Sequence, residues 1–213
     1  MTDSAPIIIT STNRFGTDID NQDTTPADPL ELLGTWLPSN DDELRPLMTL
    51  STMGADGYPD SRHLLLSAFD GEALYFHTHA DSRKATELEA DGRVGLALVW
   101  VDIGRQLTVT GNAVRVSDAE AAAAFKARSR YLKLLAWVNT PEVAALTRTE
   151  RVAAWEAFSA AHPEGTLATP AHWVGYKVTP HRLTFWRGDA EGPSNRVEYV
   201  CSGQSWDVTR LPG

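Results

Sequence analysis

The stretch Ser61–Lys84 constrains the fold of this chain more than any other part of the sequence. Two runs typical of β-strands, Arg62–Phe69 and Ala73–Thr78, flank an Asp70-Gly71 pair, and Asp-Gly between apolar runs is the strongest short-range signal for a hairpin. Ser-Arg-Lys at 82–84 follows with the pattern of a helix start, in which the serine is the N-cap. The sequence therefore predicts a β-hairpin that leads directly into a helix.

Three cations in this stretch predict a site for an anion. Arg62 lies at the start of the first predicted strand, and Arg83 and Lys84 follow the second. In a hairpin these positions converge, and the start of the next helix adds free N–H groups and the positive end of the helix dipole. We therefore expect a phosphate site. The alternative is that the cations are solvated or paired with a local carboxylate, for which Asp70 and Asp81 are available.

Composition limits the class of protein. The 213 residues suit one domain with a sizeable core, or one domain with extensions. A net charge of −9 argues against general nucleic-acid binding, and no apolar run approaches the roughly 18 residues of a membrane span. The single cysteine, Cys201, suits a reducing cytoplasm, no basic leader marks a signal peptide, and no Cys–His cluster suggests a metal site. We expect a cytoplasmic protein without a metal that binds neither nucleic acid nor membrane.

Residues 1–26 are rich in Thr, Asp, Asn and Pro and predict a flexible tail, so that the domain would cover 27–213. Periodicity and capping signals predict helices over 28–37, 83–90, 117–128 and 140–161, and strands over 47–53, 62–69, 73–78, 93–101, 106–116, 173–178, 182–186, 196–200 and 205–210. The stretch 128–137 fits either a loop or a second short helix. Many short strands with a few helices favour a mainly β barrel with flanking helices over a doubly wound sheet.

The sequence also resembles one known family. The Ser61–Lys84 stretch, Gly104-Arg105-Gln106, Phe185-Trp186-Arg187-Gly188, Arg196 and the ending Trp206…Arg210-Leu211-Pro212 are similar, in order and spacing, to the pyridoxamine 5′-phosphate oxidase family of flavoproteins. The similarity runs from about Asp28 to Leu211. It implies an FMN-binding split β-barrel of the α+β class, built as a homodimer with the flavin at the interface. It also implies oxidation of a small-molecule substrate, with molecular oxygen as the expected acceptor.

The resemblance implies a set of FMN-binding residues. These are Arg62, His63, Leu64, Leu65, Ser67, His77, Thr78, Ser82, Arg83, Lys84, Gln106, Trp186 and Arg196. Arginine and lysine form charge-assisted hydrogen bonds to phosphate, and a glutamine both donates and accepts at a flavin ring. Two positions depart from the family pattern, since His77 stands where tyrosine is usual and Pro141-Glu142 replaces a Gln-Ser pair. The alternative is that Trp186 is a core residue and Arg196 an ion-pairing one.

The positions that hold the substrate in the family are mostly changed here. Ser67 stands in place of a lysine, Ala124 of a tyrosine and Leu132 of a serine, while Arg128 is retained. An Arg-x-His pair falls at Gly192-Pro193-Ser194 and is lost. Because each charge-assisted hydrogen bond contributes about 1.5–3 kcal/mol, these losses would weaken phosphate binding by several powers of ten. We expect a small aromatic or heteroaromatic substrate other than pyridoxamine phosphate, as in relatives that act in phenazine assembly, with Ser67, Arg128, Leu132 and Ser194 lining its site.

Two other functions remain open at this point. One is a genuine pyridoxamine/pyridoxine 5′-phosphate oxidase whose phosphate site is rebuilt from Arg128, Arg130 and Lys133. The other is a flavin-binding module without turnover. The sequence identifies no catalytic residue, and the candidates are Arg128, Arg196 and His63; His79 and His172 are further acid–base groups, although histidines in such places more often serve packing.

Overall fold

The computed structural model describes residues 16–18, 25–38 and 46–213. The described helices are α1 Pro29–Trp36, α2 Arg83–Ala90, α3 Asp118–Lys126, α4 Arg130–Val138, α5 Pro141–Ala144 and α6 Arg148–Ala161. The described strands are β1 Leu47–Met53, β2 Pro59–Leu65, β3 Ala68–Phe69, β4 Leu74–His79, β5 Arg93–Trp100, β6 Arg105–Arg115, β7 Trp173–Arg187, β8 Asn195–Ser202 and β9 Ser205–Leu211. Most of the predicted tail lies outside the described residues, so its flexibility and the boundary at 26 stay predictions. None of the described helices has the length and apolarity to cross a membrane.

The nine strands form one antiparallel sheet that curls on itself. Its main path runs β2-β1-β5-β6-β7-β4-β3, and β8 and β9 continue from β7. Only Leu66 and Ser67 separate β2, at one edge of this path, from β3 at the other edge. The two edges must therefore meet, and the backbone bonds Leu66 N to Pro46 O (2.9 Å) and Ser67 N to Tyr75 O (2.7 Å) mark the junction. The predicted split β-barrel with flanking helices is confirmed.

The predicted strand Arg62–Phe69 is wrong as a single element. Its first part belongs to β2 and pairs with β1, where Arg62 lies opposite Leu50. Only the two residues of β3 pair with β4, across the Asp70-Gly71 turn. That turn is confirmed, with Gly71 at φ 96° and the Asp70 carboxylate accepting the N–H groups of Glu72 and Ala73. The strand therefore breaks at Leu66 and Ser67, where the chain passes from the edge at β1 to the edge at β4.

The predicted strands 173–178 and 182–186 are one long strand, β7. Its first half pairs with β4, its second half pairs with β8, and β6 pairs along most of its length. Thr110 lies opposite Arg182 and Gly111 opposite Pro180, so His181 is an extra residue in the ladder. Such a bulge accommodates a proline, which has no N–H to donate.

The helices decide one open alternative and correct one prediction. Of the two possibilities for 128–137, a short helix is observed, α4. The single helix predicted over 140–161 is wrong, because the structure has two helices there, α5 and α6. The second helix starts afresh because Thr147 and Glu150 make a reciprocal capping box, in which each side chain accepts the other residue's backbone N–H. The capping box predicted at Ser117 and Glu120 is confirmed.

The core fills the inside of the curled sheet. The largest fully buried side chains include Tyr199, Phe76, Phe185, Leu107 and Leu50. Leu33 and Trp36 of α1 belong to the same core cluster, and Trp36 packs edge-to-face on Phe185 at 5.0 Å between ring centroids. A smaller cluster, Ala121, Phe125 and Trp173, joins α3 to β7.

A buried ion pair ties the N-terminal region to the sheet. Arg105 and Arg187 lie directly opposite each other on β6 and β7, where like charges repel. Asp18, which is 2% exposed, accepts two hydrogen bonds of 2.8 Å from Arg105 and lies 3.6 Å from Nε of Arg187. Both guanidinium groups also lie over the ring of Trp36, at 5.1 and 5.5 Å. Residues 16–18 thus neutralise a repulsion inside the sheet.

We predict that Asp18→Asn lowers the free energy of unfolding by about 3–5 kcal/mol, because it leaves two facing arginines without their buried carboxylate. Denaturant titration of the full chain measures this change. The matched control is Asp118→Asn, whose carboxylate is 90% exposed in a 3.4 Å pair with Arg115 and should contribute no more than about 1 kcal/mol. Equal losses in the two variants would contradict the account of Asp18.

Candidate active site

One cavity of about 750 Å³ brings together most of the predicted site residues. This volume lies within the usual range for small-molecule and cofactor sites, roughly 300–1,000 Å³. Its wall is formed by the end of β2, by β4, by the start of α2 and by α4 and α5. Predicted residues in the lining are His63, Leu64, Leu65, Ser67, His77, Thr78, Ser82, Lys84, Arg128 and Leu132. Predicted residues outside it are Arg62, Arg83, Gln106, Trp186, Arg196 and Ser194.

One end of the cavity has the chemistry of an anion site. Lys84 Nζ donates to Thr78 Oγ1 at 3.0 Å, and Ser82 Oγ lies 3.3 Å from the same hydroxyl. Ser82 is the N-cap of α2, but its side chain accepts no hydrogen bond from the helix backbone. The first N–H groups of the helix therefore face this end of the cavity without a capping side chain. Burial, together with the charge of Arg62, lowers the pKa of Lys84 below its ordinary value. A bound anion would stabilise the charged form of this lysine.

Arg62 and Arg83 are ion-paired beside this end rather than in the cavity lining. Arg62 donates to Asp60 and Glu87, both at 2.7 Å, and Arg83 Nε donates to Glu87 at 3.0 Å. Burial alone would raise the pKa of Glu87. Hydrogen bonds from Thr52, Arg62 and Arg83 lower this pKa by more than burial raises it, so the net shift is downward. The alternative of pairing with a carboxylate is confirmed for these two arginines, but their partners are Asp60 and Glu87, not Asp70 or Asp81. Their predicted contact with a flavin phosphate stays a prediction.

A second group of lining residues, which we call the inner end, comprises Ser67, His77, Arg128, Leu132 and Trp173. The His77 ring stacks on the Trp173 ring with an interplanar angle of 2° and a centroid distance of 5.2 Å. The guanidinium carbon of Arg128 lies 4.6 Å from the same tryptophan ring. Burial and the nearby Arg128 lower the pKa of His77 to about 4. Its imidazole is therefore neutral near pH 7.

Two further histidines lie in the cavity wall. His79 and His172 stack at 3.8 Å between ring centroids, and His172 Nε2 lies 3.0 Å from the Ala136 carbonyl oxygen. Burial and His172 lower the pKa of His79, against the opposite influence of Asp81 and Glu142. Among the described residues, no group of three or more His, Cys, Asp or Glu side chains is placed to hold a metal ion.

Sequence reasoning missed Trp173 as a site residue. The chain has seven tryptophans, and nothing in the local pattern separates this one from a core residue. Its position in the cavity wall follows only from the pairing of β7 with β4, in which Trp173 lies opposite His79 and Gly175 opposite His77.

The remaining predicted flavin residues form a single row on the outer face of the sheet. Across five neighbouring strands, Val99 lies opposite Gln106, Gln106 opposite Trp186, Trp186 opposite Arg196, and Arg196 opposite Leu211. The intervening residues Leu107, Phe185 and Val197 are buried on the inner face, which places the row outside. We call these five residues the outer row. The outer row does not line the cavity of its own chain.

Comparisons with known proteins agree with this architecture. Residues 43–169 match the family model described as pyridoxamine 5′-phosphate oxidase. The chain is 37% identical over 166 residues to a pyridoxine/pyridoxamine 5′-phosphate oxidase of Streptomyces avermitilis, covering 77% of this chain and 74% of that protein. It is 32% identical over 211 residues to the enzyme of the same name from Bradyrhizobium diazoefficiens, covering 95% and 98% of the two chains.

Solved structures share the fold. A crystal structure of PhzG from Burkholderia lata in complex with tetrahydrophenazine-1-carboxylic acid superposes with a TM-score of 0.78, at 27% identity over 92% of this chain and 100% of that one. A pyridoxamine 5′-phosphate oxidase-related, FMN-binding protein of Nostoc punctiforme superposes with a TM-score of 0.66, at 18% identity over 79% and 88% of the chains. Together with the family match, these similarities show that the chain belongs to the pyridoxamine 5′-phosphate oxidase family of FMN-dependent oxidoreductases.

Proposed function

We propose that this protein holds FMN between two copies of the chain and oxidises a small aromatic or heteroaromatic substrate other than pyridoxamine phosphate. One observation carries the proposal: the cavity keeps Lys84 beside a helix N-terminus at one end, whereas at its inner end Arg128 is accompanied by the uncharged side chains of Ser67 and Leu132 and by the neutral imidazole of His77. An anionic cofactor fits the first end. A substrate anchored by a phosphate dianion does not fit the second.

FMN fits the cavity in volume and in donor chemistry. Lys84, Ser82 and the first N–H groups of α2 would hold its phosphate, and Thr78 supports Lys84. The part of the cavity wall formed by residues 63–65 of β2 would contact the remainder of the FMN molecule. When bound, the flavin supplies a two-electron acceptor, which the protein tunes through hydrogen bonds and nearby charge.

The outer row supports a homodimer with a shared site. Gln106, Trp186 and Arg196 match flavin-contacting positions of the family, yet none of them lines the cavity of its own chain. A second copy that placed its outer row over the cavity would complete the flavin site. The face carries exposed apolar side chains suited to such an interface, since Val99 is 53% and Leu47 61% exposed. Leu47 is adjacent to Val99 on the same face, because Thr49 pairs with Ala97.

The identity of the substrate separates two candidate functions. The names of the curated relatives favour pyridoxamine phosphate, and PhzG was crystallised with a fused-ring carboxylic acid. A rebuilt phosphate site would need Arg130 or Lys133, and neither lines the cavity. Arg130 instead donates two 3.0 Å bonds to Ser159 and so joins α4 to α6. The inner end therefore supports an aromatic substrate without a phosphate, with molecular oxygen as the proposed acceptor and the cytoplasm as the proposed location.

The positions of the three catalytic candidates relative to the cavity suggest a role for two of them. Arg128 and His63 line the cavity, and His63 Nδ1 lies 3.0 Å from Thr49 Oγ1. Arg196, on the outer row, would act only on the site of the second copy. We assign Arg128 to the substrate and Arg196 to the flavin.

We predict that the purified protein carries FMN and that pyridoxamine 5′-phosphate reduces this flavin far more slowly than tetrahydrophenazine-1-carboxylic acid does. Anaerobic mixing followed by visible absorbance measures both rates, and mass spectrometry of the released cofactor identifies it. Reduction by pyridoxamine phosphate within the ordinary enzymatic range of about 1–1,000 per second would establish the second candidate function instead. A flavin that no member of an aromatic substrate panel reduces would indicate a non-catalytic module.

We predict that Lys84→Ala weakens FMN binding by at least about tenfold, because one charge-assisted hydrogen bond to the phosphate is lost. Riboflavin, which has no phosphate, should bind the variant and the parent protein with similar affinity. Lys126→Ala, at the exposed end of α3, is the matched control for loss of a lysine. Equal weakening for FMN and riboflavin would show that Lys84 does not contact the phosphate.

A further inference from the structure

Ser67 and His77 form a side-chain pair at the inner end of the cavity. Ser67 Oγ lies 3.0 Å from His77 Nδ1, within hydrogen-bond distance. The backbone fixes both residues, since Ser67 N donates to the Tyr75 carbonyl at 2.7 Å and His77 pairs with Gly175 across β4 and β7. The pair is therefore a fixed feature of the barrel junction.

The imidazole of His77 has little freedom to turn away. The Trp173 ring stacks on it in parallel. A Cβ added to Gly175 would lie 2.8 Å from His77 Cδ2 and Nε2, closer than real Cβ contacts, so the ring covers the glycine backbone directly. A residue with a side chain at 175 would displace the ring.

The inner end has a single permanently charged lining residue, Arg128, among those that the structure describes. His77 is neutral near pH 7, since burial and Arg128 lower its pKa to about 4. The other charged lining residues are Lys84 in α2, Asp81 in the turn before α2, and Glu142 in α5. A ligand group at the inner end therefore meets the Arg128 guanidinium and two neutral hydrogen-bonding side chains.

We propose that the Ser67–His77 pair is a specificity determinant that admits an anchoring group with one negative charge, a carboxylate, and rejects a phosphate dianion. This inference rests on the proposed function and names the substrate class of that same site. A carboxylate would match the charge of Arg128, and its oxygens would accept hydrogen bonds from Ser67 or His77. A phosphate monoester carries about −1.5 to −2 charge at pH 7, and its second charge would be desolvated without a counter-charge.

The test compares benzoate with phenyl phosphate as probes of the FMN-loaded protein, with binding read from the perturbed flavin absorbance. At pH 8 we expect benzoate to bind at least tenfold more tightly. Near pH 5 the preference should narrow, because the phosphate becomes a monoanion with its second pKa about 6. A phosphate that binds as tightly as the carboxylate at pH 8, or a protein that binds neither probe, would overturn the proposal.

Two variants separate charge from size. Ser67→Lys adds a second cation and should reverse the preference in favour of phenyl phosphate, whereas Ser67→Met, of similar length without charge, should keep the preference for benzoate. A reversal in both variants would also overturn the proposal. If Ser67→Lys does not fold, the preference of the unmodified protein for benzoate over phenyl phosphate, compared at pH 8 and near pH 5, still tests the proposal. A protein that does not take up FMN before any probe is added contradicts the proposed function instead, and the absorption titration shows this separately.

Discussion

Two residues, Leu66 and Ser67, connect opposite edges of the sheet, and this short connection determines where the site can form. It forces the sheet to curl until β2 and β4 lie at one junction, although four strands separate them along the pairing order. His63 and His77 consequently line the same cavity. Successive residues of β6, β7 and β8 point to opposite faces, as in any β-strand, and the curl makes one of these faces the inside. Leu107, Phe185 and Val197 therefore fill the core, while Gln106, Trp186 and Arg196 remain outside.

Several arginines inside this fold are paired with nearby carboxylates. Arg62 and Arg83 are held by Asp60 and Glu87, and Asp18 holds the two arginines that face each other on β6 and β7. Buried charges need such partners, because an isolated one is costly to desolvate. With these groups satisfied, the cavity presents a lysine beside a helix N-terminus at one end, and Arg128 with a neutral serine–histidine pair at the other. In the proposed function, this difference between the ends assigns the cofactor phosphate to the first and the substrate to the second.

Much of this could be predicted from the sequence where the signal is local. The Asp70-Gly71 turn, the bounds of α2 and the capping box at Ser117 depend on neighbouring residues, and each was predicted correctly. The break between β2 and β3 and the ion pairs of Arg62 were not, because they depend on which strands meet after the sheet has curled. Thr147 did carry a local signal, a second capping box, which the helical periodicity of the region concealed. Trp173 became a site residue only through the pairing of β7 with β4.

The proposed function requires that each flavin site combine the cavity of one chain with the outer row of another. Co-expression of Lys84→Ala and Trp186→Ala chains with different affinity tags, followed by purification of the mixed dimer, tests it most directly. In the mixed dimer one site would contain both substitutions and the other neither. We therefore predict one tightly bound FMN per mixed dimer and none in either parent dimer at the same FMN concentration. A mixed dimer that binds FMN no better than its parents would contradict the shared site.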